Sequence, residues 1–114
     1  MPRARNLIPL ALALALVAGC SKHVPGDESA ALQARSQALI EAGNTAYGAH
    51  DYGTAAKRYA AAAVVKQDDP AAYFGLGMAL TRLGRDEDAR AAYTHARELA
   101  ERARAGADSA AAGR

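Results

Sequence analysis

At 114 residues and 11.8 kDa the chain holds one small domain at most. Alanine dominates, tryptophan is absent and phenylalanine occurs once, a composition that favours closely packed helices over a sheet. Two of the 14 basic residues, Arg3 and Arg5, stand at the very start and all 12 acidic residues follow Cys20, so beyond Cys20 the charges balance and nothing points to nucleic acid as a partner.

The chain opens with those two arginines, an apolar run over residues 7–17 and small residues before a lone cysteine. The run, interrupted by Pro9, falls well below the roughly 20 residues a membrane-spanning helix needs, so residues 1–19 read as a signal peptide. Val17, Ala18, Gly19 and Cys20 resemble the lipobox of bacterial lipoprotein signal peptides. That resemblance implies cleavage between Gly19 and Cys20, a diacylglyceryl thioether on Cys20, and a new amino group open to acylation. Small residues suit a narrow protease cleft, and a thiol supplies the nucleophile that carries the lipid. At about 0.8 kcal/mol per buried methylene, one acyl chain holds a protein weakly and two or three hold it stably. The alternative is an ordinary secretory signal followed by a coincidental cysteine. Because Cys20 is the only cysteine, a disulfide within the chain is excluded. Serine at position 21, where aspartate is absent, implies by resemblance to proteobacterial lipoproteins the outer membrane of a Gram-negative envelope, with the domain facing the periplasm.

Residues 20–27 carry the cysteine, a proline, a glycine and charge without an apolar period, and read as a flexible tether. His23, His50 and His95 include no pair at ligand spacing, so they read as solvated. No metal site and no cofactor are expected apart from the covalent lipid on Cys20.

From about Glu28 the chain turns helical, and its clearest stretch is residues 70–99. There Tyr73, Leu76, Leu80 and Leu83 make an apolar stripe along one helix. Asp69 before Pro70 is a start signal and Gly84 a stop. Asp86, Glu87 and Asp88 open a second helix whose basic Arg97 lies towards its other end. Gly77 and Ala89 fall where two helices of a hairpin come closest. Residues 41–67 repeat this logic 34 positions earlier, with Gly43 on Gly77, Ala55 on Ala89, Tyr59 on Tyr93, Ala62 on Ala96 and Val65 on Leu99.

In that register the chain resembles the tetratricopeptide repeat, through Leu39, Ala42, Gly43, Ala55, Tyr59 and Ala62 in one copy and Tyr73, Leu76, Gly77, Ala89, Tyr93 and Ala96 in the next. The resemblance implies an all-α domain over residues 28–105, a short α-solenoid of two tandem helical hairpins at about 36–69 and 70–103. Ala42 departs from the leucine of the pattern and thins the first hairpin, and the proline usual near the end of a repeat is displaced to Pro70. His50 stands where the second copy has Gly84, and histidine is among the residues that tolerate a left-handed turn. An alanine-rich bundle with accidental periodicity is the plainer alternative.

The same resemblance puts Ile40, Asn44 and Tyr47 beside Phe74, Met78 and Arg82 on a concave groove. The groove suits an apolar or amphipathic peptide rather than a free carboxylate, because Ile40 occupies one of the sites of a basic clamp. Ile40 and Phe74 read equally well as buried between neighbouring first helices. Repeat arrays usually need three or more units, so a protein partner or self-association is expected to cover an exposed face. Residues 106–114, with glycine, small residues and no apolar face, are expected to be disordered.

These features read as a membrane-anchored periplasmic protein–protein interaction module and not an enzyme. No nucleophile–base pairing or phosphate loop appears, and Ser21, Ser29, Ser36 and Ser109 fall outside the hairpins. Resemblance to lipoproteins of this repeat type implies an adaptor or pilotin-like assembly factor for a secretion, pilus or outer-membrane assembly system. A structural spacer or cell-wall-associated lipoprotein, and an accessory subunit of a cell-wall enzyme, are the alternatives.

Overall fold

A proline fixes the backbone angle a first helical turn needs, and carboxylates meet the positive end of the helix dipole there. Pro25, Asp27 and Glu28 supply both, and the first helix begins at Pro25. A computed structural model describes residues 25–114, so the signal-peptide, Cys20 and His23 readings lie outside the described residues. Four helices make up this part: α1 Pro25–Gly48, α2 Tyr52–Val65, α3 Pro70–Arg82 and α4 Asp86–Ala112. The described residues are all-helical, with no strand among them.

Two boundaries differ from the sequence reading. Residues 25–27 belong to α1 rather than to the tether, for the reason just given. The tail expected to be disordered instead continues α4 to Ala112, because alanine, the best helix former, surrounds the single weak residue Gly106, which costs only about 1 kcal/mol. Arg97 therefore lies near the middle of α4 and not near its end.

The two hairpin turns are built alike. His50 and Gly84 both take a left-handed backbone, φ 60° and 74°. In the first turn the Asp51 amide donates to the Ala46 carbonyl and the His50 amide to that of Tyr47; 34 residues later Arg85 donates to Leu80 and Gly84 to Thr81. Asp51 caps α2 by accepting from the Thr54 amide at 3.1 Å, and Asp69 caps α3 by accepting from Ala71 at 2.9 Å. At α4 no side chain caps the helix, and Arg85 instead pairs with Asp88 at 2.6 Å. Gly84→Ala is expected to lower stability by about 1 kcal/mol in urea denaturation although its Cβ would meet nothing, because the cost is in the backbone conformation.

α1 packs against α2 and α3 against α4, while α3 also lies on α2 and, less extensively, on α1; α1 and α4 do not touch. α3 is thus covered on two sides, and small residues do the covering. Its buried positions are Ala72, Gly75, Gly77, Ala79 and Leu80, whereas Tyr73 and Leu76 of the expected apolar stripe are half-buried and Leu83 is exposed. The main core gathers Ile40, Ala55, Tyr59, Ala62, Ala63, Ala72 and Ala79, and a second cluster joins Leu80, Ala89 and Ala92. Ser36, expected outside the hairpins, is fully buried in the first one, where its hydroxyl donates to the Ala62 carbonyl at 3.4 Å.

Candidate functional site

Tyr59 is the centre from which the surfaces around it are set. Its ring lies between α1 and α3 over two glycines: a Cβ on Gly43 would come 2.7 Å from Cε1, and one on Gly75 would come 2.5 Å from Cδ1. Only glycine admits a ring so close to a helix backbone. Tyr93 repeats half of this arrangement, lying over Gly77, where a Cβ would come within 2.8 Å. The Tyr59 hydroxyl emerges from the core and donates to Asn44 Oδ1 at 2.6 Å.

Burial pushes the Tyr59 hydroxyl up from its ordinary range, and the nearby Tyr47 acts in the same direction. The folded chain therefore holds this proton more firmly than the unfolded chain does. The stability it contributes is complete below about pH 10 and is expected to fall as pH rises beyond that. Urea midpoints measured at about pH 8 and about pH 10.5 should separate, and Tyr59→Phe should reduce the separation while costing about 1 kcal/mol at the lower pH.

The six expected groove residues do not form one surface. Ile40 is corrected from groove to core: α3 lies over it and leaves it 7% exposed. Asn44 is exposed, but its carbonyl is committed to Tyr59. Tyr47 and Arg82 do come together, the Arg82 Nε donating to the Tyr47 hydroxyl at 3.1 Å. The Arg82 guanidinium also stands 5.9 Å from the Tyr47 ring and 5.5 Å from that of Tyr52, a cation–π arrangement linking the two hairpins. Its bond to Tyr47 holds the guanidinium still more firmly protonated. His50 joins the edge of this cluster, Nδ1 sharing a hydrogen bond with the Tyr52 hydroxyl at 2.8 Å. Met78 is half-buried on α3, one helical turn from Arg82.

Phe74 belongs to a different surface. It is 55% exposed, packs edge-on against Tyr93 with centroids 5.5 Å apart, and lines an open cleft between α3 and α4 with Pro70, Ala96 and Arg97. Sequence reasoning missed Tyr52, Tyr93 and Arg97 as surface partners. Their signal was the 34-residue register together with the absence of a third hairpin: Phe74 and Tyr93 are the mates of Ile40 and Tyr59, with no following helix to cover them.

Among the described residues no three His, Cys, Asp or Glu side chains gather as a metal would require. His95 packs edge-on against Tyr73 at 4.3 Å and has Glu98 3.9 Å from its Nδ1. No helix among the described residues is long and apolar enough to cross a membrane. No protein family matches the chain, and neither a curated protein nor a solved structure is significantly similar to it.

Proposed function

We propose that residues 25–114 are two tandem tetratricopeptide-type hairpins acting as a protein–protein interaction module, held by lipid on Cys20 to the periplasmic face of an outer membrane. One observation carries the repeat reading: a second-helix tyrosine lies over a first-helix glycine in both hairpins, Tyr59 on Gly43 and Tyr93 on Gly77, at a separation of 34 residues. A joint between helices that recurs with its turn hydrogen bonds in register is what a duplicated unit predicts. The interaction role follows from how such a unit is left. Two hairpins expose faces that a longer array would bury, and the part they play is that of an adaptor or assembly factor for an envelope machine.

A photoreactive residue placed at Met78 or at Arg82 in cells tests the module directly. One defined component of an envelope assembly is expected as the adduct, and background labelling alone at both positions would contradict the reading. Mass analysis of the N-terminal peptide tests the anchor. A diacylglyceryl thioether on Cys20 is expected, whereas a free thiol there would favour the ordinary secretory signal.

A further inference from the structure

The two hairpins carry matching surfaces with different fates. Ile40 is covered because α3 lies over it, whereas Phe74, its mate 34 residues on, is 55% exposed beside Tyr93. The cleft between α3 and α4 thus lies where a helix following α4, as α3 follows α2, would sit. In the first hairpin α3 fills that place with Ala72, Gly75 and Ala79, the glycine against the Tyr59 ring. A helix entering the cleft at Tyr93 needs the same stripe, since a side chain at the central position would meet the ring.

The spacing Ala-x-x-Gly-x-x-x-Ala occurs at one other place in the sequence, Ala103, Gly106 and Ala110 of α4. These residues continue, at alternating steps of three and four, the stripe Ala89, Ala92, Ala96 and Leu99 by which α4 is buried in its own hairpin. From Glu101 onwards the helix is exposed, and a Cβ on Gly106 would meet nothing within 4 Å. A glycine inside an uncovered helix weakens it, and becomes useful only when something lies against it. The outer face of α1 could not substitute, because the register there places Ala38, Glu41 and Thr45, with glutamate where the ring requires glycine.

We infer that the α4 extension of a second copy, residues 103–112, docks in the cleft between α3 and α4 with Gly106 over Tyr93. The extension leaves its own hairpin as a straight continuation of α4, so it cannot turn back into its own cleft. Its ten residues span about 15 Å, against about 20 Å for the 13 residues of α3. Stripe and cleft occupy different sides of α4, so a copy that lends its extension keeps its own cleft open, and the contact is head-to-tail. Such docking is a self-partnered form of the interaction module and rests on that reading. The two fail separately, because Met78 and Arg82 report a partner protein while Gly106 and Phe74 report the second copy.

Sedimentation of the full chain in one non-ionic detergent, over rising concentration, tests the docking. The natural sequence is expected to grow in mass beyond the monomer. Gly106→Leu, which blocks the extension, and Phe74→Glu, which blocks the cleft, should each weaken association at least tenfold with helical content retained. Mixed together, the two variants should form a one-to-one pair and stop there, since one intact cleft meets one intact extension. A natural chain that stays monomeric, association that survives Gly106→Leu, or a mixture that stays monomeric overturns the docking.

Discussion

Gly75→Ala is expected to destabilise the chain by about 2 kcal/mol, although alanine is the better helix former by about 1 kcal/mol. The added Cβ would stand 2.5 Å from Cδ1 of Tyr59 and closer still to Cε1, so something must move. The ring has little room to retreat, because Gly43 lies equally close on its other side. Overpacking of this kind costs about 1–3 kcal/mol, occasionally more, and a ring trapped between two helix backbones belongs at the upper end. In a domain of this size each kcal/mol shifts the melting temperature by about 4–8 °C, so a fall of about 8–16 °C is the expected reading. Gly77→Ala poses the same conflict with Tyr93 at 2.8 Å, but Tyr93 is half-buried and its far side faces the open cleft. Its ring can yield, and the loss should be smaller.

Tyr59→Ala should cost about 3–5 kcal/mol, the range for removing a fully buried aromatic side chain. Tyr59 is 1% exposed and is the largest fully buried side chain among the described residues, so its loss opens a cavity bounded by three helices. Domains are stable by only about 5–15 kcal/mol in total, so this one change removes a large share of what holds the hairpins together. Tyr93→Ala, at the matching position of the second hairpin, should cost about half as much because no further helix covers the ring. Urea denaturation followed by helical circular dichroism gives both values. Equal costs for the two tyrosines would contradict the contrast between a covered joint and an open one.

The parts of this fold that are settled locally were legible before any coordinates. Asp69 with Pro70 starts α3, Gly84 ends it, and the left-handed turn at His50 follows from its alignment with Gly84. Capping and turn geometry depend on residues a few positions apart, and a sequence displays those directly. Gly75 was not legible as a critical residue, because its importance arises from α2 lying across α3, a contact between hairpins. Ile40 and Phe74 occupy the same position in the repeat, yet one is core and the other surface, since burial depends on whether another hairpin follows. Asn44 could be placed near the groove, but not its commitment to Tyr59, 15 residues away. At the end of α4, Gly106 was misread as a stop because the glycine was weighed without the alanines around it.

The account rests on two copies of one unit, each joined by a tyrosine ring laid on a glycine. Proton NMR of the glycine Hα resonances measures this directly, since a ring face shields protons beneath it. Upfield shifts are predicted for Gly43, Gly75 and Gly77, with ordinary shifts for Gly48 and Gly53, whose surroundings are open. Unshifted resonances at both Gly43 and Gly77 would contradict the repeated joint and the reading of the chain as a duplicated hairpin.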